Sequence, residues 1–107
     1  MASFNNRKKR TKEELIASIL DGAKNGATKT KIMYSAYLSY DQLLKYMDYA
    51  LQCELIILNG DNIYSITAKG KVFLKNFQEL QKMESNVVQK REILESLLEK
   101  GGKSIEV

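Results

Sequence analysis

The chain has no histidine, no proline and a single cysteine among its 107 residues. Without histidine the commonest general base is missing, and Cys53 alone leaves zinc with no ligand set. A lone cysteine also cannot close an intrachain disulfide. No cluster of serine, lysine and carboxylate side chains is assembled for covalent or acid–base chemistry. The chain is therefore expected not to be an enzyme, and to use no cofactor, no metal and no small-molecule substrate. No apolar run is long enough for a membrane span or shaped like a secretory signal, so the expectation is a cytoplasmic protein without a membrane partner.

An apolar content of 44% fits a folded chain, and the length is that of one domain. Charge is spread unevenly. Residues 1–31 carry eight basic and three acidic side chains, residues 32–66 one and four, and residues 67–107 eight and six. The cationic excess at the amino end suits a polyanion or an anionic surface, although solvated lysines are the plainer explanation of a moderate excess.

Residues 1–10 form a basic arm in which a polar stretch leads into Arg7, Lys8, Lys9 and Arg10. Such a run can lie along phosphates and gain affinity by counterion release, or it can serve as a solubilising tail. Thr11 and Glu14 have the form of a capping box, and Leu15, Ile16, Ile19, Leu20 and Ala23 recur on one face, which predicts a helix over Lys12–Ala23. Asn25 and Gly26 end it. Thr28 can cap a short second helix through Ala36, with Ile32, Met33 and Ala36 inward and Lys29 and Lys31 outside. Two cations near a helix start oppose its dipole unless an anion is close by, a mild hint of phosphate contact.

Tyr37 and Leu38 make a turn, and Ser39 with Gln42 signals a third helix ending near Cys53. At 100° per residue Tyr40, Leu43, Leu44, Met47, Ala50 and Leu51 gather on one side as its core face. The opposite side is centred on Gln42, Lys45 and Tyr49, with Tyr46 beside them and Asp41 and Asp48 on the flank. Gln and Lys can hydrogen-bond base edges or phosphates, and Tyr can pack on sugar, so this face is competent for a major groove. It contains no arginine, and weak sequence preference follows. Leu55–Leu58 and Ile63–Ile66 read as strands of a short hairpin, with Gly and Asn in Asn59, Gly60, Asp61 and Asn62 supplying the positive φ of its turn. Asn59, Gly60 and Asn62 can approach a minor groove, and Tyr64 is expected to point outward.

From Thr67 to Lys100 an apolar stripe continues at helical spacing. Phe73, Phe77, Leu80, Val87, Leu94 and Leu98 follow steps of four and three, the seam of a coiled coil, and Glu84 and Arg91 occupy its two remaining positions. Nothing upstream is long enough to pair with it, so a second copy of the chain is the expected partner. The organisation predicted is an arm over 1–10, a winged domain over 11–67, a dimerisation helix over 68–100 and a flexible tail over 101–107. The fold class is mainly α with a small β-hairpin, a helix-turn-helix with a wing.

The block Lys29-Thr30-Lys31-Ile32-Met33-Tyr34-Ser35-Ala36-Tyr37-Leu38-Ser39-Tyr40, then Leu43, Tyr46 and Leu51, then Ile63-Tyr64-Ser65-Ile66-Thr67-Ala68-Lys69-Gly70, looks like the archaeal winged helix-turn-helix regulators. With the carboxy-terminal helix it resembles the crenarchaeal 10a family of small, abundant DNA-binding chromatin proteins. The resemblance implies a nucleoid-associated homodimer joined by an antiparallel coiled coil, with a winged helix at each end that binds double-stranded DNA. It carries the recognition role onto the exposed residues of Ser39–Gln52 and the wing role onto Asn59–Asn62. The wing here is partly acidic and the third helix has one cation, which moves the expected phosphate contacts toward the arm, Lys29 and Lys31.

In an antiparallel pair, facing residues have numbers with a nearly constant sum. Phe77 would face Leu98, Leu80 would lie near Leu94, the axis would pass close to Val87 and Val88, and Glu84 would meet Arg91. The expected function is non-catalytic duplex binding, as a chromatin-organising protein or a regulator of transcription. A second reading, a protein interaction module with the winged helix as scaffold, draws on the acidic middle of the chain.

Overall fold

The computed structural model describes residues 9–99. Arg7 and Lys8 of the arm, and the tail beyond residue 99, lie outside them. The elements are α1 (Lys12–Ala23), α2 (Lys29–Ser35), α3 (Tyr40–Gln52), β1 (Ile56–Leu58), β2 (Tyr64–Ile66) and α4 (Ala68–Leu97). The chain divides into two compact units, one running through Phe77 and the other beginning at Gln78.

Local chemistry sets the helix starts where the sequence places them. The Thr11 hydroxyl accepts from the Glu14 N–H at 3.0 Å while Glu14 Oε1 accepts from the Thr11 N–H at 2.8 Å. Ser39 and Gln42 make the same reciprocal pair at the start of α3, both bonds at 3.1 Å. Thr28 caps α2 by accepting from the Lys31 N–H at 3.2 Å.

The core of the first unit is one cluster. Leu15, Ile16, Ile19 and Leu20 of α1 meet Ile32 of α2, Leu43, Met47 and Ala50 of α3, and Leu55, Ile56 and Tyr64 from the hairpin. Two members of the expected α3 core face are not in it, Tyr40 at 61% and Leu44 at 41% exposure. Tyr46 takes their share instead, half-buried against the core, so the buried stripe is rotated toward Tyr46 and away from Leu44. Leu44 lies about 100° round the helix from Leu43, at the edge of the buried stripe. Tyr40, the first residue of α3, stands at its open end.

β1 and β2 are antiparallel, with Ile56 opposite Ile66 and Leu58 opposite Tyr64. β2 also pairs on its other edge with Ala27 of the α1–α2 connection, the two residues exchanging N–H···O bonds of 3.0 and 2.8 Å. Tyr64 shares a sheet face with Ile66 and Ile56, and this corrects its expected outward orientation. The strand starts at Tyr64, between Leu58 and Ala27, and its side chain is 8% exposed and part of the core. In the turn Asn62 takes a positive φ of 61° and Gly60 does not.

α4 runs for 30 residues, about 45 Å at the usual rise. It stops at Leu97, short of the expected Lys100. Leu98 and Glu99 bond to the carbonyls of Glu95 and Ser96, the tighter i to i−3 pattern of a fraying end. Among the described residues no helix is long and apolar enough to cross a membrane.

The start of α4 is fixed against the end of α3. The Thr67 N–H donates to the Leu55 carbonyl at 3.0 Å, and the Thr67 hydroxyl reaches the Glu54 carbonyl at 2.7 Å and accepts from the Gly70 N–H at 2.9 Å. Gly70 is buried, and a Cβ there would fall on the Leu55 carbonyl and on Ile66, inside any normal contact distance. Gly70→Ala should therefore destabilise the fold by about 2–3 kcal/mol, the range of a steric insertion against backbone. Urea unfolding checks this, since the midpoint should fall with an unchanged slope.

Candidate nucleic-acid interface

The turn between α2 and α3 is a C-terminal cap in which a tyrosine stands where glycine usually does. Ala36 ends α2, Tyr37 follows with φ 56°, and Leu38 turns back into the core at 8% exposure. The Leu38 N–H donates to the Met33 carbonyl at 3.0 Å and the Tyr37 N–H to the Tyr34 carbonyl at 3.3 Å, the paired bonds of a Schellman motif. The left-handed conformation costs a side-chain-bearing residue about 1–2 kcal/mol. Glu54 fills the same role after α3, with φ 62°.

Arg10, expected to touch phosphate, reaches this turn. Its Nη1 donates to the Tyr37 carbonyl at 3.1 Å and its Nη2 to the Ser18 hydroxyl at 2.7 Å. It thereby ties the base of the arm to α1 and to the helix-turn-helix. Lys9, Lys29 and Lys31 are exposed.

The residues expected on α3 divide by environment. The Ser39 hydroxyl and the Gln42 Oε1 are engaged in the cap, which leaves the Gln42 amide N–H groups to donate. Lys45 is exposed, with its ammonium 5.3 Å from the centroid of the half-buried Tyr46 ring. Tyr49 points toward α1, where the Lys12 ammonium lies 4.0 Å from its ring centroid. Hydrogen bonding to the Tyr49 side chain is the main cause that raises the Lys12 pKa above its ordinary value. Tyr49 also lines a cleft of about 270 Å³ with Lys12, Ile16, Cys53, Lys69 and Phe73. Gln42, Lys45, Tyr46 and Tyr49 thus share one side of α3, with Tyr49 a turn further along and engaged by Lys12.

In the wing, the Asn59 amide donates to the Ser65 hydroxyl at 2.9 Å and its backbone N–H to the Ile63 carbonyl at 2.7 Å. That side chain closes the hairpin, while Gly60, Asp61 and Asn62 form the exposed tip. Tyr34 and Tyr37, outside the expected site, are exposed by 70% and 86%, and Tyr40 is exposed where the helical period places it in the core. A glycine after α2 would have signalled the cap, and tyrosine gives no such signal.

The expected seam residues fall in both units. Phe73 packs against the winged-helix core and stacks on Phe77, ring centroids 6.5 Å apart and planes within 4°. Leu80, Val87, Val88, Leu94 and Leu98 are exposed, as are Glu84 and Arg91. Met83, Ile93 and Leu97 are exposed apolar residues beside them.

A winged helix-turn-helix family model matches residues 9–85. The chain belongs to that family. It is similar over 73 residues, at 38% identity, to the uncharacterized protein MJ0290 of Methanocaldococcus jannaschii; the match takes in 67% of this chain and 34% of the length of that relative. Among solved structures it is similar to Sso10a-2, a DNA-binding protein from Sulfolobus solfataricus, with TM-score 0.77 and 26% identity over 85% of this chain and 99% of that one. It shares its fold with a Listeria innocua protein of unknown function, with TM-score 0.55 and 19% identity over 83% and 73% of the two chains. Winged-helix proteins of the crenarchaeal 10a type, which the Lys29–Tyr40 block resembles, are thus its structural relatives.

Proposed function

We propose that this protein binds double-stranded DNA without catalysis, as a chromatin-organising protein or transcriptional regulator with weak sequence preference. The observation that carries the reading is the helix-turn-helix surface itself. Within the first unit α3 buries Leu43, Met47 and Ala50 and leaves Lys45 to solvent together with Asp41 and Asp48, and Lys9, Lys29 and Lys31 are exposed as well. Lysines there neutralise phosphates and seat α3 in the major groove, where Lys45 and the Gln42 amide can reach base edges. The DNA-binding character of Sso10a-2 supports it. Arg7 and Lys8 extend the same cationic arm.

The second unit supplies the dimer of this proposal. Apolar residues from Leu80 to Leu98 are exposed along α4, and among the described residues neither Glu84 nor Arg91 has an ion-pair partner in its own chain. An antiparallel copy would cover the stripe and set Glu84 against the partner's Arg91, twice per dimer. A parallel copy would stack like charges at both sites. Two heads on one dimer could bridge separate duplexes.

Affinity for duplex DNA, measured by fluorescence anisotropy over a salt series, should fall steeply with salt. Replacing Lys29 and Lys31 together by Ala should reduce the log–log salt slope by about 2, at roughly one unit per lost phosphate contact. Absence of binding at low salt contradicts the reading, and so does binding insensitive to salt. For the dimer, Glu84→Arg with Arg91→Glu should keep the wild-type mass in sedimentation equilibrium, while either change alone should weaken association. Equal behaviour of all three variants would refute the pairing.

A further inference from the structure

We propose that Tyr34, Tyr37 and Tyr40 form a sugar–phosphate contact of the helix-turn-helix, with Tyr37 at its centre. The inference rests on the DNA-binding reading and names residues that reading does not contain. The three tyrosines follow at intervals of three from the end of α2, through the turn, to the first residue of α3, and all are exposed.

Tyr37 is the informative one. It holds the left-handed position of the cap, where glycine carries no steric penalty, and its ring is the most exposed of the three. The side chain therefore returns no burial to the fold in exchange for that conformation. Its backbone is nevertheless held twice over, by the Schellman bonds to α2 and by the Arg10 guanidinium on its carbonyl. An exposed aromatic ring on a fixed, strained backbone is arranged for a partner, since pre-organisation lowers the cost of ordering on binding.

The surroundings specify a polyanion. Lys29 and Lys31 of α2 are exposed and, among the described residues, neither is in an ion pair, whereas Lys24 is paired with Asp21 at 3.1 Å. Basic residues interleaved with aromatic ones are the composition of a nucleic-acid surface. When the amino-terminal end of α3 enters a major groove, the turn before it lies over the phosphate strand at the groove edge. There a tyrosine hydroxyl can donate to a phosphate oxygen while its ring packs on the deoxyribose. Such a contact positions the protein and reads no sequence.

The test compares wild type, Tyr37→Gly and Tyr37→Phe as full chains, for thermal unfolding and for affinity to a duplex oligonucleotide across a salt series. Tyr37→Gly should unfold at or above the wild-type midpoint, because glycine relieves the backbone, yet bind duplex about tenfold more weakly. Its salt slope should be unchanged, because no charge is lost. Tyr37→Phe should lose less affinity than Tyr37→Gly, keeping the ring without the hydroxyl. Wild-type affinity of Tyr37→Gly for duplex overturns the inference, and so does a loss of affinity accompanied by a fall in its unfolding midpoint. If the wild type itself fails to bind duplex, the DNA reading falls and this contact with it.

Discussion

The junction at Leu55 is the point on which the functional parts depend. One backbone carbonyl there faces the Thr67 N–H and lies so close to Gly70 that no side chain fits between them. Within a few residues α3 ends, the wing begins and α4 starts. Lys69 adds a further tie by donating to the Cys53 carbonyl at 2.8 Å, which satisfies one of the orphan acceptors at the end of α3. The angle at which α3 is presented and the placement of the wing are thereby set by the same hydrogen bonds that launch α4. Glycine at position 70 is the residue that permits this approach.

The opposite end of α3 is built on a different principle. The α2–α3 turn closes through a cap that accepts a tyrosine in a conformation usually given to glycine, and Arg10 steadies it from outside. A cation read from sequence as part of a phosphate-binding arm thus has a structural task, and the cationic surface is carried by Lys9, Lys29, Lys31 and Lys45. The proposed DNA surface combines those lysines with exposed phenols. That combination favours holding the duplex over reading it, since α3 carries no arginine for bidentate contact with guanine.

Much of the fold was legible because its signals are local. Capping boxes at Thr11 and Ser39 and the Asn25-Gly26 stop are encoded within four residues, and the helix boundaries they imply agree with the structure to within a residue or so. Long-range contacts were not legible in the same way. The bridge between Ala27 and Tyr64 joins segments far apart in sequence, and no local signal announces it. The helical period assigns Tyr40 and Leu44 to the core face, but they are exposed, Tyr40 at the open end of α3 and Leu44 at the edge of the buried stripe, a property of packing and not of pattern. Tyr37 and Glu54 occupy left-handed caps without glycine, so the usual mark of such a turn was missing. Of the proposed site, Lys29, Lys31 and Lys45 are exposed as their helical spacing predicts, whereas the engagement of Tyr49 by Lys12 depends on how α1 crosses α3.

The central claim is that the helix-turn-helix face, and not the cleft beside Lys12 or the stripe of α4, is the surface that meets DNA. Titrating uniformly 15N-labelled protein with a short duplex and following the backbone amides tests it most directly. The amides of Lys29, Lys31, Tyr37 and Lys45 should shift together and saturate at one stoichiometry, while those of Lys12, Lys69 and Val87–Leu94 stay in place. Shifts concentrated along Gln78–Leu97 or around Tyr49 and Lys69, with the α2–α3 turn unmoved, would contradict it.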